Sequence, residues 1–133
     1  MNIDAALVAV KWKAEPAEHN YPAAVDYLAL GLPEKQAEQL VAALRKAPQV
    51  QKKAKDLERA SGLPMLPADN PHVAADLKKI KAGDPLSPIL LVRGRWLEGC
   101  PLLVADGYHR ICASYHLDEN AEIPCRIVDP TSR

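Results

Sequence analysis

Asp106-Gly107-Tyr108-His109-Arg110 brings a carboxylate, a glycine, a phenol, an imidazole and a guanidinium into one short stretch. An apolar run ends at Ala105, and a helical pattern begins at Tyr108. Gly107 lets the backbone turn sharply and lets a ligand approach without meeting a Cβ. The first N–H groups of the following helix have no partner within it, and the helix dipole adds partial positive charge there. An anion, phosphate above all, is stabilised at such a point. His109 and Arg110 add donors, and the planar guanidinium fork suits phosphate oxygens. Cations at a helix N-terminus oppose the dipole, so two of them call for a negative partner. That partner is either a bound anion or Asp106, acting as N-cap and pairing with Arg110. Both readings stand at this stage.

Other chemistries are weaker. His109, Cys112 and His116 fall at i, i+3 and i+7 and could face one way around zinc. A fourth ligand would have to come from Cys100 or Cys125, and neither is suitably spaced. Cys112 also lies on the apolar stripe of the helix, where a free cysteine packs as a small hydrophobe. No metal site is expected. Cys100, in Gly-Cys-Pro, has nothing adjacent in sequence to lower its pKa, so an inert thiol is expected. The basic run Lys52, Lys53, Lys55 is offset by Asp56 and Glu58 and reads as a solvated helix face.

Short elements must position the turn, because 12 prolines punctuate the chain. Tyr21, Val25, Leu28 and Leu32 predict one helix. Ala37, Leu40, Val41 and Leu44 predict a second, starting at Pro33. A third is expected over Gln51–Ser61, closed by Gly62. Asn70-Pro71 opens a fourth, with stripe Val73, Leu77, Ile80 and stop Gly83. Strands are expected at Pro88–Val92 and Pro101–Ala105, joined by a hairpin link over Arg93–Cys100. A helix follows over Tyr108–Leu117, with Tyr108, Ile111, Cys112 and Tyr115 as its buried side. A closing strand, Ile123–Val128, is placed near a sheet edge because of Pro124.

The whole chain sets the bounds. Its 133 residues suit one domain, and with no Phe the core must be aliphatic. Lys plus Arg equals Asp plus Glu at 17 each, which disfavours broad DNA binding. Three cysteines without a C-x-x-C pair suggest reduced thiols in a cytoplasm. The apolar run Ala5–Val10 follows Asp4 and precedes Lys11 and Lys13. That is the wrong charge order for a signal peptide and too short for a membrane span. It is read as a buried strand or helix opening.

Five features of the second half, in order and spacing, resemble the ParB/sulfiredoxin superfamily over about residues 63–128. They are an initial strand with a Pro-containing end at Leu63-Pro-Met-Leu-Pro-Ala-Asp-Asn70, the helix Val73–Ala82, Ser87-Pro-Ile-Leu-Leu-Val92, Gly107-Tyr-His-Arg110 and Ile123-Pro-Cys-Arg-Ile-Val128. The resemblance implies an α+β fold: a small mixed sheet with helices. Here a helical segment over residues 1–62 would pack on the domain of residues 63–133 as one unit. It implies that Gly107, His109 and Arg110 hold nucleotide phosphates, and Tyr108 would complete the cradle. The wording is nearest the Asp-Gly-His-His-Arg turn of free-serine kinases, with Tyr108 in place of the middle His. Asp69 stands near their acidic catalytic residue. Asp106 and Asp69 would then bind Mg²⁺ or act as base, with ATP, ADP or CTP as the nucleotide. The sulfiredoxin cysteine position is Tyr108 here, so that chemistry is not expected. No helix-turn-helix follows, unlike the partition proteins. A kinase or nucleotide hydrolase is the first reading. A non-catalytic regulatory or protein-interaction module is the second, and a ParB-like nuclease or DNA-associated protein the third. The expected partner is a nucleotide or phosphorylated small molecule, with a homodimer left open and no membrane.

Overall fold

The computed structural model describes residues 9–130, so most of the Ala5–Val10 run lies outside the described residues. The fold is α+β. Its elements are α1 (Asn20–Leu28), α2 (Glu34–Lys46), β1 (Gln49–Lys53), α3 (Ala54–Ser61), α4 (Pro71–Ala82), β2 (Ile89–Val92), β3 (Leu103–Asp106), α5 (Tyr108–Leu117) and β4 (Glu122–Val128). The four strands form a mixed sheet in the order β1-β4-β2-β3. β4 runs antiparallel to β1 and parallel to β2, and β2 runs antiparallel to β3. The sheet thus draws β1 from the first half of the chain and the other strands from the second. Among the described residues, no helix is long and apolar enough to cross a membrane.

Both faces of the sheet are covered, and β2 shows why its sequence is apolar throughout. Successive side chains of a strand point to opposite faces. Leu90 and Val92 meet Tyr21, Leu28, Leu40 and Leu44 of α1 and α2 on one face. Ile89 and Leu91 meet Leu57 of α3 and Ile111 of α5 on the other. All four β2 residues are buried. The predicted α2 stripe, Ala37, Leu40, Val41 and Leu44, is buried as expected. α4 packs outside α5, with Val73 and Ile80 against Cys112 and Ala113. Ser87 donates its hydroxyl proton to Asn20 Oδ1 and accepts the Ala17 N–H at 2.9 Å, tying α1 to the start of β2.

Three expectations are corrected. Gln51–Lys53 is strand, not helix: these residues pair with Ile123–Pro124 and Glu122 of β4, and helix begins only at Ala54. β4 is an interior strand. Pro124 is tolerated there because the ladder to β2 begins one residue later, at the pair Ile89↔Cys125. The initial strand that the resemblance requires within Leu63–Asn70 is absent; that stretch is loop and turn. Arg126, unexpected inside an apolar run, donates to the Arg45 carbonyl at 2.7 Å, at the C-terminal end of α2.

Candidate functional site

β3 delivers the chain to Asp106, and Gly107 turns it into α5 with φ 111° and ψ 17°. A side chain at this position is excluded twice. The φ is one that L residues rarely adopt, and a Cβ would lie 2.6 Å from both Arg110 Nη2 and Ile89 Cδ1. Arg110 is folded back over the glycine. Its Nη2 donates to Asp106 Oδ2 at 2.9 Å and lies 3.5 Å from the Pro88 carbonyl oxygen. The two charged side chains are 16% and 18% exposed, and the buried Arg110 Nε has no hydrogen-bond partner.

One of the two sequence readings is therefore half right. Asp106 pairs with Arg110, but it does not cap α5. Gly107 occupies the N-cap position, and no side chain caps the helix. The N–H groups of Arg110 and Ile111 bond to the Gly107 carbonyl at 3.0 and 3.2 Å. Those of Tyr108 and His109 have no acceptor within the helix. α4 offers the contrast. There Asn70 Oδ1 accepts from the N–H groups of His72 and Val73 at 3.0 and 3.2 Å, as the sequence predicted.

Packing of α4 on α5 adds two residues that the sequence did not reveal. His72 and His109 are each the second residue of their helix, and their ring centroids are 4.7 Å apart. Asp76 lies one turn beyond His72. Burial raises its carboxyl above the usual range, while the charges of Arg110, Lys79, His109 and His72 act the other way. His109 is held below the ordinary imidazole value, first by burial, then by the like charges of His72 and Arg110, against Asp76. The first turn of α5 thus has two uncapped N–H groups, two facing imidazoles and a guanidinium, with Asp106 and Asp76 as internal counter-charges. Nothing local in the sequence pairs His72 with His109; only the helix packing does.

The remaining expected residues lie elsewhere or face elsewhere. The Tyr108 hydroxyl donates to the Pro64 carbonyl at 2.8 Å, with the Leu63 carbonyl and Glu58 Oε2 at 3.2 and 3.3 Å. Burial, then Cys112, raises this phenol above its usual value. Tyr108 can therefore offer the turn its N–H and not its side chain. Asp69 is exposed just ahead of Asn70, outside the Asp106–Arg110 pair. The zinc trio is dispersed: His109 stacks on His72, Cys112 is buried, and His116 Nε2 lies 2.7 Å from the Leu66 carbonyl. Among the described residues, no three His, Cys, Asp or Glu side chains are grouped to hold a metal ion. Cys100 is exposed, while burial pushes the Cys125 thiol up to about 12.

No protein-family model matches the chain, and neither curated proteins nor solved structures give a match.

Proposed function

We propose that this domain binds a phosphate-bearing small molecule, a nucleotide in the first instance, on the first turn of α5. The supporting observation is the uncapped start of that helix, where the Tyr108 and His109 N–H groups lie beside Arg110 and the His72–His109 pair. Backbone donors and the helix dipole would take the phosphate oxygens. His109 and His72 would add hydrogen bonds. The ParB/sulfiredoxin resemblance of the Asp106–Arg110 turn supports the nucleotide.

Mg²⁺ would accompany the nucleotide phosphates rather than sit in a preformed protein site. As a metal ligand, Asp106 does not fit while Arg110 holds its carboxylate. No catalytic step is assigned to it. This engagement, with Tyr108 turned away, favours a second reading: a binding or regulatory module without turnover.

Isothermal titration with ATP, ADP and CTP, each with and without Mg²⁺, tests the binding. Saturable heat with at least one of them is expected, weakened but not lost in Arg110→Ala, where the Asp106 carboxylate is left without its cation beside the helix start. No heat at millimolar nucleotide would remove the reading. Phosphorus NMR of the same mixtures separates an enzyme from a binding module by whether product accumulates.

A further inference from the structure

The link between β2 and β3 holds two large apolar side chains in water. Trp96 is 71% exposed, and Leu97 is fully exposed. The link is nevertheless a built structure. Arg95 and Cys100 exchange two backbone hydrogen bonds of 2.9 Å, and a 3₁₀ turn over Trp96–Glu98 is closed by Gly99 at φ 77°. Gly94 fixes the indole: a Cβ there would meet Trp96 Nε1 at 2.8 Å and the backbone of Cys100 and Leu102 at 2.9 Å.

Behind Trp96 lies a cavity of about 490 Å³ between α3 and the sheet. Leu57 and Ala60 of α3, Leu91 and Ile127 of the sheet, and Leu102 form its other walls. Volume and apolar lining suit a small molecule. Three charged residues stand at its edge: Lys52, Arg93 and Asp56. Asp56 is paired with Arg59 at 3.5 Å, and Arg93 with Asp129 at 2.7 Å. Lys52 has no ion-pair partner among the described residues. One cation is therefore left over beside an apolar chamber walled by an indole. No residue of the Asp106–Arg110 turn lines it. Its wall includes Leu102, just ahead of β3, whereas the turn follows Asp106 at the strand's other end.

We infer that this cavity is a second binding site, for a small planar aromatic acid, with its ring against Trp96 and its carboxylate toward Lys52. Apolar burial supplies attraction, the flat indole selects a flat ring, and the unpaired ammonium selects an anion over its neutral analogue.

The test is NMR of the ¹⁵N-labelled full chain, titrated with naphthoate and with neutral naphthamide. The Trp96 indole N–H is expected to shift saturably with naphthoate at submillimolar concentration. Naphthamide should bind about two- to fivefold more weakly, the range of one partly exposed ion pair. Lys52→Met should bring naphthoate down to the amide's affinity and leave the amide unchanged. The cavity-filling Ala60→Leu should abolish the indole shift, and Trp96→Ala should abolish the accompanying shifts of the Leu57, Leu91 and Leu102 amides that line the cavity, while the remaining spectrum stays dispersed. Three results would overturn the inference: no saturable shift at millimolar naphthoate, equal affinity for acid and amide, or link resonances that move with protein concentration alone. The last would assign the surface to a second copy of the chain.

Discussion

The rings of His72 and His109 face each other with centroids 4.7 Å apart and planes inclined at 37°. Each ring belongs to the second residue of a helix, and a charge on either disfavours a charge on the other. One of the two helix starts is already satisfied by Asn70; the other is not. Added negative charge at the uncapped start would relieve the repulsion within the pair. Anion binding here would therefore be coupled to protonation of His109.

Stability should follow the depressed His109. Its folded-state pKa lies below 6.5, so between those two values the unfolded chain holds more protons. Stability is fully present above 6.5 and is lost as pH falls toward the folded value. Asp76 acts in reverse: its pKa lies above 3.8, so its contribution grows as pH falls through that lower window. The melting temperature should hold above about pH 6.5 and decline as pH falls below it. His109→Gln should flatten the decline. Added phosphate should raise the melting temperature more at the lower pH, because protonated His109 favours the anion.

Gly107→Ala tests the turn itself. The substitution combines an unfavourable φ with two contacts at 2.6 Å. Urea unfolding should show a loss of about 2–4 kcal/mol. A loss below about 0.5 kcal/mol, typical of an unconstrained surface site, would mean that the turn relaxes freely.

Asp106→Asn separates positioning from competition. Removing the carboxylate leaves Arg110 largely buried and without its ion-pair partner, at a cost of about 1–3 kcal/mol in stability. The freed guanidinium should bind phosphate more tightly, by about three- to tenfold for one partly screened charge. Titration calorimetry beside denaturant unfolding reads both effects. Weaker phosphate binding would show that Asp106 holds Arg110 in its binding position.

Tyr108→Phe should divide structure from binding. It removes a hydroxyl that donates to the Pro64 carbonyl at 2.8 Å, costing about 1 kcal/mol. Phosphate affinity should not change, because only the Tyr108 N–H faces the helix start. A large loss of affinity would place the phenol in the site.

The legible parts of the fold were those fixed by local chemistry. The Asn70-Pro71 start and Gly83 stop of α4 reside in adjacent residues, and the apolar run of β2 reflects burial on both faces. β1 was not legible. Gln49-Val-Gln-Lys-Lys53 carries no alternating apolar pattern, and its extended state comes from the ladder to β4. Pro124 misled for a related reason: the rule excluding proline from interior strands concerns ladder donors, and here the β2 ladder starts at the next residue. Within the site, the Asp106–Arg110 pair follows from an i, i+4 spacing. His72 and Asp76 join it only through the packing of α4 on α5, which no local pattern encodes.

The central claim is that the start of α5 holds phosphate through its backbone. A ¹⁵N–¹H titration with ADP, using adenosine as control, reads it directly. The Tyr108 and His109 amide resonances should shift saturably with ADP at submillimolar concentration and stay still with adenosine. If those two amides do not move, or move equally with adenosine, the start of α5 is not a phosphate site.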